Sequence, residues 1–202
     1  MPPIIELEEI RRNQILSAAI EAIAETGQAK VTMAGICEQA SLSKGGVAHY
    51  FSSKRELFTA AFETYFESIF KRSKEILTLH EDPVEQILSF TWLLDPNSPE
   101  VAHGYPVLID FMALAAHDEI YSRIYQRWVR RWLDLVVGVL ERGQSKGCFL
   151  QCDPESAART ISAVYQGFAL RWYLTPELYP NQWAAATLEE TLKALLVSFD
   201  YQ

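Results

Sequence analysis

Three observations predict an all-α fold. Apolar residues recur at three-to-four spacing from one end of the chain to the other, and no convincing alternating strand pattern interrupts them. The periodic stretches are separated by N-cap residues, glycines and prolines of the kind that start and stop helices. With 202 residues and 49% hydrophobic content, the chain can bury a substantial core or a small domain plus a larger one. The expected architecture has about nine helices, in which a three-helix N-terminal head is joined by a long fourth helix to a larger helical body.

The first helix should run from about Glu8 to Thr26 and bury Ile15, Leu16, Ala19, Ile20 and Ile23, with Gly27 as a left-handed stop. Arg11 and Arg12 near its start are placed either to reach a phosphate or to be ordinary solvated charges. Thr32 then N-caps a second helix, because Met33, Ile36, Cys37 and Ala40 fall on one face. In Ser41-Leu42-Ser43, Leu42 can plug inward while Ser43 caps the next short helix, so the chain turns without leaving the core. Val47 and Phe51 make one anchoring stripe, and the other sides of that helix stay free. On them lie Lys44, His49 and Tyr50, donors for phosphates or base edges, and Gly45 and Gly46, which let a duplex approach the backbone. This is the organisation of a helix-turn-helix, whose second helix enters the major groove.

Ser53 followed by Glu56 forms a capping box, and Leu57, Phe58, Phe62, Tyr65, Phe66, Ile69 and Phe70 continue the helical period. The spacing predicts a fourth helix from Lys54 to about Leu79, roughly 40 Å long at about 1.5 Å per residue and able to act as a lever. Lys54 and Arg55 in its first turn oppose the helix dipole, which a nearby phosphate would explain and which solubility would also explain. Pro83 opens a fifth helix through Leu94, Asp95-Pro96-Asn97-Ser98-Pro99 reads as a loop, and a shorter helix follows near Tyr105–Ala116. A long amphipathic stretch, Asp118–Gly143, should bury Ile120, Ile124, Trp128, Trp132, Leu135, Val136 and Val139. Gly143 and Gly147 bound a loop ending at Asp153-Pro154, a cap with proline at the first helical position. The eighth helix should span Pro154 to about Leu174 and the ninth about Gln182 to Phe199.

The order of several short elements resembles the TetR family of bacterial transcriptional regulators. They are Arg11-Arg12-Asn13-Gln14-Ile15-Leu16, Gly27, Thr32, Ala40-Ser41-Leu42-Ser43-Lys44-Gly45, His49-Tyr50-Phe51 and Lys54-Arg55-Glu56-Leu57-Phe58. The resemblance is strong over residues 8–68, which it implies form the DNA-binding domain, and rests on length and helical character over 69–202, the implied ligand-binding and dimerisation domain. Ser41 stands where the family usually has Gly in a left-handed backbone, at a cost of about 1 kcal/mol. Ala48 stands where a DNA-contacting Tyr is frequent, which shifts weight onto His49 and Tyr50. The version Val47-Ala48-His49-Tyr50-Phe51 is similar to the BetI-like branch. The resemblance implies a homodimeric repressor on a palindromic operator, contacted by Ser43, Lys44, Gly45, His49, Tyr50 and Lys54, with Thr32 holding a helix N-terminus against a phosphate. An activator, or a helical ligand-binding protein without operator binding, is the alternative.

The resemblance also implies a homodimer formed through the last two helices. Ala157, Ile161, Val164 and Phe168, with Leu188, Leu192, Leu195 and Leu196, form stripes suited either to a four-helix interface or to packing within one chain. The aromatic side chains Trp92, Phe111, Tyr121, Tyr125, Trp128, Tyr165 and Trp172 are candidates for a ligand wall, although helical spacing alone does not separate pocket from core. Aromatic faces suit apolar or cationic ligands, and the branch similarity implies a choline-like inducer.

The formal charge of −8 disfavours indiscriminate DNA binding, yet residues 39–55 hold Lys44, Lys54 and Arg55 and no acid. Charges beyond about 8 Å are screened at physiological salt, so local balance matters more than the sum. The N-terminal Met1-Pro2-Pro3-Ile4-Ile5-Glu6 has no leader pattern and no long apolar run follows, from which a cytoplasmic location is expected. Cys37, Cys148 and Cys152 lack disulfide or zinc spacing and are expected to be small buried hydrophobes, with a redox role for the last pair as the alternative. No nucleophile motif, metal-ligand pattern or phosphate-cradling glycine loop is present, so neither an enzyme, a cofactor nor a metal is expected.

Overall fold

The structure, a computed structural model, describes residues 4–149 and 151–198. Among these residues the chain is helical without strands. The helices are α1 (Ile4–Thr26), α2 (Met33–Gln39), α3 (Lys44–Tyr50), α4 (Lys54–Leu77), α5 (Pro83–Leu88), α6 (Pro99–Ala115), α7 (Glu119–Ser145), α8 (Pro154–Leu174) and α9 (Asn181–Ser198). A 3-10 helix, Ser89–Leu94, directly continues α5. The expected end of the ninth helix at Phe199 lies outside the described residues.

Contacts gather into two compact units. One holds the chain up to Ile69 together with Ala102–Tyr125, and the other Phe70–Val101 with the residues from Gln126 onward. In the first unit Ile15, Leu16, Ala19 and Ile23 of α1 are buried with Ile36, Val47, Leu57 and Phe62. Phe111 of α6 lies 4.7 Å, ring centre to ring centre, from both Phe62 and Phe66 of α4. Tyr121 of α7 meets Phe62 and Phe111 edge-on at 5.9 Å. Aromatic contacts of this kind add about 0.5–1.5 kcal/mol per pair beyond burial.

The second unit is built on α8 and α9, which pack against each other, with α9 also against α5 and the 3-10 helix. Phe90 touches Trp132 at 4.7 Å and Tyr165 at 5.9 Å. The Tyr165 hydroxyl donates to Ile87 O at 2.6 Å, and burial pushes this phenol's pKa up, which keeps it a donor. Asp153 caps α8 by accepting from the Glu155 and Ser156 amides, with Pro154 in the first position as expected.

Several expectations are corrected. The fifth helix tightens to 3-10 after Leu88, where the Ser89 and Thr91 hydroxyls donate back to the Gln86 and Leu88 carbonyls and compete with the α ladder. Helix α6 begins at Pro99 rather than near Tyr105, because Pro99 opens the helix instead of belonging to the loop. Gly143 does not end α7, which runs on to Ser145. There Gly147, at φ 74°, occupies the left-handed position, and the Cys148 and Gly147 amides donate to the Gly143 and Gln144 carbonyls. Ile120, in the first turn of α7, is exposed rather than buried. Among the cysteines only Cys37 is buried. Cys148 is exposed and Cys152 intermediate, and desolvation raises the Cys152 thiol's pKa.

The candidate dimer stripe is also revised. Ala157, Ile161, Leu188, Leu192 and Leu196 are buried within the single chain, whereas Leu174, Leu178, Trp183 and Val197 are exposed. Phe168 stacks on Trp183 at 6.3 Å, and Tyr179 meets the same indole edge-on at 5.5 Å. Among the described residues no helix is long and apolar enough to cross a membrane.

Candidate nucleic-acid interface

The interface begins with the way α2 ends. The amides of Ser41 and Leu42 donate to the carbonyls of Glu38 and Cys37, each at 2.9 Å, the paired closure of a helix that stops on a left-handed residue. That residue is Ser41, at φ 51°, the described non-glycine with a positive φ. The Gln14 side-chain amide, reaching from α1, donates to Ala40 O at 2.7 Å and fixes the same end from outside. At the other end Thr32 Oγ1 accepts from the Gly35 amide at 3.1 Å. The side chain of Thr32 is therefore a helix cap, satisfying one of the amides at the start of α2.

Ser43 repeats the device, its Oγ accepting from the Gly46 amide at 3.1 Å. Helix α3 is then held by Val47, fully buried, and by Phe51 just beyond its end. Lys44, Gly45, Ala48 and His49 are exposed, and Tyr50 is half-buried with its ring 5.0 Å from His49 in an edge contact. Among the described residues a Cβ at Gly45 would meet nothing nearer than Ser43 Oγ at 4.0 Å. The fold does not require glycine there, although glycine costs a helix about 0.5–1 kcal/mol relative to alanine. Its absence of a side chain thus leaves room for something outside the chain.

Lys54, expected at a phosphate, donates through Nζ to Gln28 O at 3.2 Å and lies 4.9 Å from the centre of the Phe58 ring. Arg55 pairs with Asp118. Within the chain Arg55 is therefore charge-paired and Lys54 hydrogen-bonded, and the unfavourable dipole arrangement has an internal explanation for Arg55. The capping box is shifted: Glu56 N donates to Ser53 Oγ, while the Glu56 carboxylate accepts from the hydroxyl and amide of Ser52. The Ser52 hydroxyl bond, foremost, lowers the pKa of this carboxyl. Arg12 stacks over Phe51 at 5.4 Å and Arg11 bonds Gln14.

The candidate ligand residues divide between the two units. Phe111 and Tyr121 are buried in the aromatic core of the first, with Tyr125 half-buried and 6.2 Å from Phe111. Tyr165 is buried in the second, with Trp92 and Trp128 at intermediate exposure there. The indole N–H of Trp92 is buried and has no hydrogen-bond acceptor among the described residues.

Comparison with known proteins agrees with this geometry. Residues 85–197, more than half of the chain, match the model described as BetI-type transcriptional repressor, C-terminal. Residues 15–61 match the model for bacterial regulatory proteins of the tetR family. The chain belongs to the TetR family. It is a DNA-binding transcriptional regulator of BetI-like type and not an enzyme. Relatives from this family include the HTH-type transcriptional regulator PksA of Bacillus subtilis, 28% identical over 87% of this chain and 84% of its own length. The regulator BetI 2 of Chromohalobacter salexigens is 27% identical over 87% of this chain and 83% of its own. Among solved structures, a transcriptional regulator from Saccharomonospora viridis in complex with choline superposes with a TM-score of 0.82, 19% identity and coverage of 90% and 95%. A regulator from Rhodococcus sp. Rha1 gives 0.79 at 22% identity, covering 92% and 95%. The match over residues 15–61 includes the helix-turn-helix stretch that ends at Phe51.

Proposed function

We propose that the chain is a homodimeric repressor whose two heads read a palindromic operator and release it when a small cationic ligand binds. The observation that carries this reading is α3: a helix anchored only through Val47 and Phe51, presenting Lys44, Gly45, His49 and Tyr50 outward. Lys44 supplies charge to phosphate, while His49 and Tyr50 are the groups with base-reading chemistry. Ser43 and Thr32 act by orienting helix N-termini. Lys54 joins the contact set if it exchanges Gln28 O for a phosphate oxygen. Residues 8–68 form the DNA-binding domain and 69–202 the ligand-binding and dimerisation domain in this reading.

Dimerisation follows from the exposed apolar side chains of the last two helices and the loop between them, in particular Leu178, Trp183 and Val197. A two-fold pair of heads doubles the contacts and accounts for operator symmetry. For the ligand, the BetI-type match and the choline-bound neighbour favour a quaternary ammonium compound. Trp92 suits it doubly, with a π face for the cation and an indole N–H for an oxygen such as choline's hydroxyl. Phe111, Tyr121 and Tyr165 serve the core, and Tyr125 and Trp128 remain candidates for the ligand wall.

The test is retention of the purified protein on DNA from upstream of its own gene at moderate salt, with and without choline. Sequence-selective retention that choline relieves is the expected result. Absence of selective retention would leave a helical ligand-binding protein without operator function.

A further inference from the structure

The segment Ala102–Tyr125 lies within the stretch matched by the C-terminal family model, yet its contacts place it in the same compact unit as the DNA-reading head. Two kinds of contact join them. Phe111 and Tyr121 pack on Phe62 and Phe66, contacts that hold the elements together but tolerate sliding. The second kind is directional and involves carboxylates. Asp110 Oδ2, on α6, accepts from the amide of Gln28 at 2.5 Å, in the turn between α1 and α2. The carbonyl of the same Gln28 receives Lys54 Nζ at 3.2 Å, so this one peptide segment is tied both to α6 and to the start of α4. Asp118, which caps α7 by accepting from the Ile120 amide through Oδ1, uses its other oxygen for Arg55.

We propose that Asp110 and Asp118 are positioning residues for operator recognition. They touch no DNA, but they orient the turn before α2 and the first turn of α4 relative to α6 and α7, and through these the recognition helix α3. The proposal rests on the DNA-binding reading above. It also accounts for why Lys54 and Arg55, adjacent cations in a helix's first turn, both have internal partners: Lys54 the Gln28 carbonyl, whose own amide Asp110 holds, and Arg55 the Asp118 carboxylate. Orientation matters for one mode of binding and not the other. Nonspecific association needs only cations near phosphates, whereas specific readout needs α3 in a fixed register in the groove.

The experiment compares wild type with Asp118→Asn, Arg55→Gln and their double variant, using the operator and an unrelated duplex. Asn remains a good N-cap, so α7 is preserved in Asp118→Asn. The expected result is an operator affinity about tenfold lower in each single variant, equivalent to about 1.4 kcal/mol, with affinity for the unrelated duplex unchanged and the double variant no worse than either single. Asp110→Asn, which keeps an acceptor for the Gln28 amide, should stay near wild type, and Asp110→Leu should show the same selective loss. Three results would overturn the proposal: Asp118→Asn tightening binding to all DNA, Arg55→Gln weakening all sequences with a flatter salt slope, or unchanged operator affinity throughout. The first would make Asp118 a mask over Arg55, and the second would make Arg55 a phosphate contact. Amide exchange tests the clamp without DNA and so separates its failure from failure of the DNA-binding reading. Asp110→Leu should speed exchange at Gln28 and through the α1–α2 turn, and unaltered exchange there would contradict the clamp even if no operator were found.

Discussion

At the scale of single residues, Ser41 and Gly45 are opposite departures from what local structure prefers. Ser41 adopts φ 51° at the end of α2, where the same closure at the end of α7 is given to Gly147. A left-handed L-residue costs roughly 1 kcal/mol, so Ser41→Gly should raise stability by about that much in a denaturant titration, with DNA binding retained. An unchanged midpoint would mean that the serine side chain compensates its own strain. Gly45 is the reverse case, a glycine that its surroundings do not demand. Gly45→Ala should stabilise the fold by up to about 1 kcal/mol yet weaken operator binding at least tenfold. Equal affinity in the two proteins would remove Gly45 from the interface. Both residues are readable in the sequence because their roles depend on backbone conformation and neighbour spacing. The partners of Lys54 and Arg55 are not, since the Gln28 carbonyl and Asp118 reach them only through the tertiary fold.

Among the elements, most boundaries follow from signals that act within a few residues. Thr32, Ser43, Asp82 and Asp153 each cap the helix that follows, and α4 and α8 run close to their expected lengths. Where the boundaries escape the sequence, a competing interaction decides them. The conversion of the fifth helix to 3-10 follows the pull of the Ser89 and Thr91 hydroxyls on nearby carbonyls. The early start of α6 follows from Pro99, equally at home in a loop or in a first turn. Helix α6 also carries a close approach that only packing reveals. A Cβ at Gly104 would fall 2.0 Å from the Tyr65 hydroxyl and 3.2 Å from the ring carbon bearing it. Gly104→Ala should therefore cost about 1–3 kcal/mol of stability, and Tyr65→Phe in the same chain should recover part of it. Additive losses in thermal melts of the four proteins would show that the two groups do not collide.

For the whole molecule, the head is legible in sequence because a helix-turn-helix packs its signals into a short continuous stretch, whereas what the last two helices face is not. Leu188, Leu192 and Leu196 follow the same helical period whether they face a neighbouring helix of one chain or of another, and they turn out to be internal. The exposed side chains proposed above for a partner, Leu178, Trp183 and Val197, lack that regular stripe. Trp183→Ser should accordingly shift the protein from dimer to monomer in sedimentation, while Leu195, part of the original stripe and only half-buried, should matter less. The charge of −8 fits a regulator that avoids nonspecific duplexes and relies on a small local surface. That surface is the central claim, and the salt dependence of operator affinity tests it most directly. Wild type and Lys44→Ala should both lose affinity linearly with log salt, with the variant's slope shallower by about 0.9, the value for one fewer phosphate contact on B-DNA. An identical slope in the two proteins would take Lys44, and with it this orientation of α3, out of the interface.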